Sequence, residues 1–296
     1  MKSGFVAILG RSNVGKSTLL NALLSKKVSI VTPKQQTTRE DVLGILTEKD
    51  YQMIFIDTPG LFTGKTKLDS FLNKESRRSF SDADVMLYLI DAKDGLTEED
   101  ESNINKLMKF DKPLLLLINK IDDQGPNEMI ELLKLLDEKY PSLKKIQLSA
   151  LTNFNLKEVK EAVTSYFKDE TRYYPDDMIT DKDLSFMIKE TVREKVLHFL
   201  KQEIPHQVAV VVKKVKEGKE IEAQVLIICE KDSQKGIIIG KKGETIKKIG
   251  MAARQDLERQ TKKHVILLTK VQVYPAWRND PAFLAKIGYG KTSDLD

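Results

Sequence analysis

Residues 5–18 read FVAILGRSNVGKST, and the way this stretch divides decides the fold. Phe5–Leu9 is a short run without charge, as a strand buried on both faces requires. Lys16–Leu24 has helical character. Between them, Gly10–Ser17 fits G-x-x-x-x-G-K-[ST] in the strand–loop–helix context that a phosphate-cradling loop needs. A plain glycine-rich turn can match the pattern by chance, but it does not also need that context. Gly10 and Gly15 let the backbone turn its N–H groups onto phosphates, helped by the positive end of the following helix. Lys16 is expected to reach the β- and γ-phosphates and the Ser17 hydroxyl to ligate magnesium. The candidate nucleotide contacts here are Gly10, Arg11, Ser12, Asn13, Val14, Gly15, Lys16, Ser17 and Thr18.

Downstream, further apolar runs at Met53–Ile56, Val85–Ile90, Leu114–Ile118 and Ile146–Leu148 alternate with amphipathic stretches such as Glu128–Lys139. That alternation predicts an α/β fold, a mostly parallel sheet flanked by helices. Val42–Thr47, just before Met53, is the expected antiparallel partner. Two of these strands end in chemistry. Asp57-Thr58-Pro59-Gly60 closes the strand Met53–Ile56; Asp57 is placed to hold magnesium opposite the phosphate loop, and the Gly60 N–H to sense a γ-phosphate. Asn119-Lys120-Ile121-Asp122 follows Leu114–Ile118 and selects the base. A carboxylate at Asp122 accepts from guanine's N1–H and exocyclic amine; adenine would leave it unpaired, at a cost of a few kcal/mol. Asn119 either binds the base edge or braces the phosphate loop, and the Lys120 stem covers the ring. Ser149-Ala150, after the strand Ile146–Leu148, is expected to add a backbone N–H toward guanine O6.

Composition bounds the rest. With 296 residues, 41% hydrophobic and 31% charged, the chain has material for two cores of about 150 residues each, and the disordered and collagenous classes are excluded. A single cysteine, Cys229, rules out an internal disulfide framework, and no apolar run approaches the roughly 20 residues that span a bilayer. A soluble protein of a reducing compartment is the expectation. Residues 1–170 hold 25 Lys+Arg and 26 Asp+Glu, net −1; residues 171–296 hold 24 and 18, net +6; residues 231–270 hold 11 and 4, net +7. A basic segment beside a neutral half points to a polyanionic partner, against the plainer reading of a solvated lysine face.

The periodicity lapses at TRYYPDDMITDKD, residues 171–183, which reads as a connecting segment. The expected division is a nucleotide-binding domain over 1–170, a linker over 171–184 and a second domain over 185–296. Beyond the linker the order is α-β-β-α-α-β: a helix near Leu184–Gln202, strands near Gln207–Val215 and Glu220–Cys229, a short helix before Gly240, a longer one over Glu244–Lys262, and a strand over His264–Tyr274. Gly240-Lys241-Lys242-Gly243 is a GxxG turn between two helices, with Lys247, Lys248 and Arg254 continuing at roughly helical spacing. A lone GxxG is more often a helix cap. With two helices, an adjoining strand and the local charge, it resembles a type II KH domain, which clamps about four nucleotides of a single strand.

The phosphate loop, DTPG and NKID in order resemble the translation-factor-like GTPases, in which a threonine from a mobile loop closes on magnesium. Thr38, in PKQQTTR at 33–39, matches that position, with Thr37 a near neighbour. Together with the GxxG domain, the resemblance narrows to the Era family of bacterial GTPases and covers nearly the whole chain. It is carried by GRSNVGKS, QTTR at 36–39, DTPGL at 57–61, SDADVMLYLIDA at 81–92, NKID, YPDD at 174–177, IIGKKGETIKKIG at 238–250 and WRNDPAFLAKIGY at 277–289. The resemblance implies a GTPase that binds GTP, GDP and the 3′ end of 16S rRNA and assists assembly of the 30S ribosomal subunit. It also implies a cytoplasmic monomer with peripheral association to the inner face of the membrane. Asn13 matches an asparagine that in GTPases with a similar loop helps to hold potassium, so Lys16, Thr38, Gly60 and Asn13 are the expected catalytic set. Ser17, Thr38 and Asp57 are the expected magnesium ligands. Many small GTPases place a water-orienting glutamine after DxxG; here Leu61 stands there, which implies slow intrinsic turnover. Two other readings compete: a constitutive RNA-binding module with the nucleotide domain as scaffold, and a metabolic GTP-consuming enzyme. Trp277 is read as an anchor for the C-terminal segment and Cys229 as a small core residue. No role is assigned to Gly290–Asp296.

Overall fold

The computed structural model describes residues 1–32, 42–57, 68, 82–200 and 204–289. Thr38, Thr58, Pro59, Gly60, Leu61 and Gly290–Asp296 lie outside the described residues. The chain divides into two compact units, one holding most of residues 1–181 and the other most of 182–296.

The first unit is built on six strands: β1 (Lys2–Gly10), β2 (Val42–Thr47), β3 (Tyr51–Asp57), β4 (Val85–Asp91), β5 (Leu114–Asn119) and β6 (Lys144–Gln147). They lie in the order β2-β3-β1-β4-β5-β6, all parallel except the edge pair β2–β3. Every residue of β4 and β5 is buried, which is why these strands read as unbroken apolar runs rather than alternating ones. One core, with Leu19, Phe55, Leu87 and Val159, lies on one face; a second, with Met86, Tyr88, Ile104 and Leu136, lies on the other. Among the described residues the unit's helices are α1 (Lys16–Leu24), α2 (Glu98–Leu107), α3 (Pro126–Lys139) and α4 (Leu156–Thr164).

This topology fixes where chemistry can occur. After β1 the chain goes to one side for β2 and β3, then crosses to the other for β4 to β6. The carboxyl ends of parallel strands at such a reversal open the crevice in which α/β proteins bind ligands. Gly10 ends β1, Asp57 ends β3 and Asn119 ends β5, all at that edge.

The segment read as a linker is tied to this unit as far as residue 181. Gln52, fully buried on β3, accepts from the Tyr173 and Tyr174 N–H groups, both at 3.0 Å, and donates to the Tyr174 carbonyl at 2.9 Å. The Ile45 N–H donates to the Ile179 carbonyl at 2.7 Å, and the Leu43 N–H to Asp181 at 3.2 Å. The stretch lacks apolar periodicity because backbone hydrogen bonds hold much of it, with Ile179 packed on the core and Tyr173 against Phe5 as its apolar contacts.

The second unit runs α5 (Leu184–Phe199), β7 (Ala209–Glu217), β8 (Ile221–Cys229), α6 (Asp232–Ile239), α7 (Glu244–Thr261), β9 (Val265–Val273) and a short α8 (Pro281–Lys286). Asp183 caps α5 by accepting from the Phe186 N–H at 2.7 Å. The sheet order is β7-β8-β9, with β7–β8 antiparallel and β8–β9 parallel. Ile188, Val192, Val225, Ile249, Ala253 and Leu257 form its core, and Cys229 is buried among them. Trp277 is fully buried and donates through Nε1 to the Gln207 carbonyl at 3.0 Å, so it anchors the C-terminal segment.

Candidate functional site

The loop Gly10–Lys16 wraps around the Lys16 side chain. Lys16 Nζ donates to the carbonyls of Gly10 at 2.9 Å and Arg11 at 2.6 Å. Burial lowers its pKa from 10.5 to about 8, against the opposing pull of Asp57 and Glu99. The lysine is therefore a cation held at a cost, and an anion delivered beside it would relieve that cost.

Gly15 has φ 103°, and a Cβ there would stand 2.3 Å from Asn119 Nδ2. This close approach lets Asn119 act as a strut. Its Nδ2 donates to the Val14 carbonyl at 2.8 Å and its Oδ1 accepts from the Ala150 N–H at 2.9 Å. Of the two roles open for Asn119, the structure thus shows the brace. Of the Ser149-Ala150 pair expected to turn a backbone N–H toward guanine O6, the Ala150 N–H donates to Asn119 and the Ser149 N–H to the Phe154 carbonyl at 3.3 Å. Ser149 is buried, and its Oγ accepts from the Thr152 N–H at 3.1 Å. Lys120 adopts φ 65° and donates through Nζ to the Asn13 carbonyl at 2.7 Å and to Asp91 at 2.5 Å. Ile121–Asp123 forms a single 3-10 turn that leaves the Asp122 carboxylate exposed.

At the end of β3, Asp57 is fully buried. Its Oδ2 accepts from the Ser17 hydroxyl at 2.9 Å and from the Ser29 hydroxyl at 2.8 Å. Hydroxyl and carboxylate oxygens side by side are the hard donor set that magnesium prefers, so these residues fit that ion. No motif singles out Ser29. Asn21 of α1 fixes it, accepting from the Val28 and Ser29 N–H groups and donating to the Ser29 carbonyl. Arg11, expected among the nucleotide contacts, pairs its guanidinium with Asp94 and Asp100.

In the second unit, Gly240 and Gly243 both have positive φ and bracket a 3-10 turn over Lys241–Gly243. A Cβ on Gly240 would lie 2.2 Å from Thr245 Oγ1 and 2.9 Å from the Thr245 nitrogen, so only glycine fits. Lys241 and Lys242 of the turn and Lys247, Lys248 and Arg254 of α7 are all exposed, while Ile249, Ala253 and Leu257 of α7 are buried. Helix α7 therefore separates an apolar face from a basic one.

The family described as "50S ribosome-binding GTPase" matches residues 5–120, and a KH domain family matches residues 203–278. GTPase Era of Caldanaerobacter subterraneus subsp. tengcongensis is 43% identical over 291 residues, covering 97% of this chain and 98% of that protein. GTPase Era of Clostridium kluyveri is 41% identical, covering 98% and 99%. The chain belongs to the Era family of GTPases. Among solved structures, a point variant of Aquifex aeolicus Era bound to GDP·AlF4⁻ aligns with a TM-score of 0.94 at 38% identity, covering 98% of this chain and all of that one (100%). Era in complex with MgGDPNP and nucleotides 1506–1542 of 16S ribosomal RNA aligns with a TM-score of 0.94 at 39% identity, covering 98% and 99%. As an Era-family GTPase, the chain combines a P-loop GTPase unit with a C-terminal KH domain, and the three strand ends described above belong to a GTP-hydrolysing fold.

Proposed function

We propose that this GTPase is a nucleotide-driven switch that binds the 3′ end of 16S rRNA through its KH turn and assists assembly of the 30S subunit. The observation that carries the reading is the joint presence of a braced phosphate loop at a sheet reversal and an exposed-lysine GxxG turn in one chain. The Era structure with MgGDPNP and 16S rRNA nucleotides supports it. We place the GTPase domain at 1–170 and the RNA-binding domain at 185–296, joined by 171–184.

In this reading the backbone from Gly10 to Thr18 and the Lys16 ammonium bind the phosphates, and Asp122 selects guanine, with Lys120, Ile121, Ser149 and Ala150 lining the base site. Ser17 and Asp57 hold magnesium with Thr38, and the ion supplies positive charge at the β- and γ-phosphate oxygens. Thr58, Pro59, Gly60 and Leu61 follow Asp57 as the second switch loop. No glutamine follows Gly60, so we infer slow hydrolysis unless another group helps. Asn13 is exposed on the loop with φ 66°, and we assign it to potassium, whose charge would offset that developing in the transition state. Equal turnover in sodium and potassium salts would remove that assignment. GTP orders the loops around Thr38 and Gly60, the KH turn is presented differently to RNA, and hydrolysis reverses the state. The family resemblance supports peripheral association with the inner face of the membrane; among the described residues no helix is long and apolar enough to cross a bilayer.

The deciding experiment measures binding of a short RNA copying the 16S 3′ end to protein loaded with a GTP analogue or with GDP, and to Lys241→Asp/Lys242→Asp. Tighter binding with the analogue, by the roughly 1–3 kcal/mol common in allosteric coupling, and loss in the variant are expected. Binding that ignores the nucleotide would favour a constitutive RNA-binding module.

A further inference from the structure

The phosphate loop is a strained piece of backbone. A non-glycine residue, Asn13, holds φ 66° within it, and such a loop keeps its shape only when its surroundings dictate it. Two of its braces come from the NKID segment, Asn119 on Val14 and Lys120 on Asn13. The third has no motif to announce it. Arg11 Nε donates to both oxygens of Asp100 at 3.1 and 3.0 Å, and its NH2 group donates to Asp94 at 2.9 Å. The same residue offers its carbonyl to Lys16 Nζ at 2.6 Å. Arg11 therefore joins the phosphate-binding lysine, through one residue's backbone and side chain, to the start of α2.

Asp100 is built to hold that arginine. It is fully buried in the first turn of α2, where the helix dipole favours an anion. Besides Arg11 it accepts from the Tyr88 hydroxyl at 2.9 Å, the Thr97 hydroxyl at 2.7 Å and the Thr97 N–H at 3.1 Å. Tyr88 in turn accepts from Asn103 Nδ2 at 3.3 Å and sits on β4, every residue of which is buried. These donors fix the carboxylate's orientation, and the guanidinium bridges it, through Nε, to Asp94, through an NH2 group, a two-point contact that a lysine's single ammonium would not reproduce.

We propose that Asp100 is a positioning residue for GTP binding, acting through Arg11 to set the carbonyls that aim Lys16 at the phosphates. The inference rests on the reading of Gly10–Ser17 as the phosphate loop. It makes the first turn of α2, outside every nucleotide motif, part of the apparatus that shapes the site, and it gives the Arg11 side chain a task away from the nucleotide.

The test compares GDP affinity and the 31P resonance of bound GDP in the unmodified protein, Arg11→Met, Asp100→Asn and the double variant. Each single variant is expected to weaken GDP by at least about tenfold, equivalent to about 1.4 kcal/mol. The β-phosphate resonance should shift, which loss of stability alone would not cause, and the double variant should bind no more weakly than the worse single one. Should Asp100→Asn fail to fold, Arg11→Met carries the test, since the Arg11 side chain keeps 16% exposure and its stem is retained. Affinities within about twofold of the unmodified protein, an unshifted β-phosphate, or additive losses would each overturn the proposal while leaving the nucleotide site standing. An unmodified protein that does not bind GDP would overturn both.

Discussion

Gly15 and Asn119 approach so closely that a single methyl group cannot fit between them: a Cβ on Gly15 would lie 2.3 Å from Asn119 Nδ2. The amide cannot step aside freely, because it holds the Val14 carbonyl at 2.8 Å and the Ala150 N–H at 2.9 Å. The positive φ of 103° at residue 15 adds a backbone penalty for any side chain. Gly15→Ala is therefore expected to cut GDP affinity by at least about 100-fold, or roughly 2.7 kcal/mol. Calorimetric titration checks it, with circular dichroism showing that both units stay folded.

Lys16 makes nucleotide binding sensitive to pH. Its pKa falls from 10.5 in the unfolded chain to about 8 in the fold, chiefly through burial. Between those values the unfolded chain binds more protons, so this group's contribution to stability rises as pH rises from about 8 to 10.5. Binding works in the opposite direction, because a phosphate favours the charged lysine. GDP affinity should fall as pH rises above about 8, and binding a little above that pH should take up protons. Titrations in buffers of differing ionisation heat measure that uptake, and Lys16→Met should abolish it.

Much of this site is legible because single polar residues end apolar runs. Asp57 and Asn119 close the buried apolar runs Met53–Ile56 and Leu114–Ile118, so their edge of the sheet follows from the order of the runs. Other parts leave no local trace. Arg11 and Asp100 are 89 residues apart, and no window of sequence connects them. Helix α2 begins with four consecutive acidic residues, Glu98, Glu99, Asp100 and Glu101, and the Thr97–Asp100 capping box and the helix dipole make that turn favourable. Strand β6, expected at Ile146–Leu148, runs Lys144–Gln147: at this sheet edge Lys144 is exposed, and Lys145 is satisfied by the Tyr140 carbonyl and Asp137. The fate of Gln52, whose amide receives the segment near Tyr174, depends on a partner more than 120 residues away.

Base choice can be inverted at Asp122. This residue stands exposed in the turn Ile121–Asp123, and under the proposed function the groups it offers a base set the preference. A carboxylate accepts twice from guanine; an amide donates once and accepts once, which suits xanthine, whose C2 carries an oxygen. Asp122→Asn should weaken GDP by at least about 100-fold and bind xanthosine diphosphate more tightly than GDP, given the cost of an unmet polar contact. Competition between the two nucleotides gives the ratio directly. Retained GDP preference would mean that Asp122 does not face the base.

The KH turn separates charge from shape, and salt can distinguish them. Lys241 and Lys242 lie exposed on the 3-10 turn, and under the proposed function each would contribute by displacing a counterion from a phosphate. For single-stranded RNA each such contact adds about 0.7 to the slope of log affinity against log salt. Lys241→Gln/Lys242→Gln should therefore weaken binding and flatten that slope by about 1.4. Gly240→Ala acts differently. Its methyl would meet Thr245 at 2.2 Å, and relief requires moving the backbone that approaches the RNA. That variant should lose at least about tenfold in affinity while the slope of the residual binding stays nearly unchanged, because no cation is removed. A Gly240→Ala protein that binds normally, or a lysine variant with an unaltered slope, would place the RNA elsewhere on the basic face of α7.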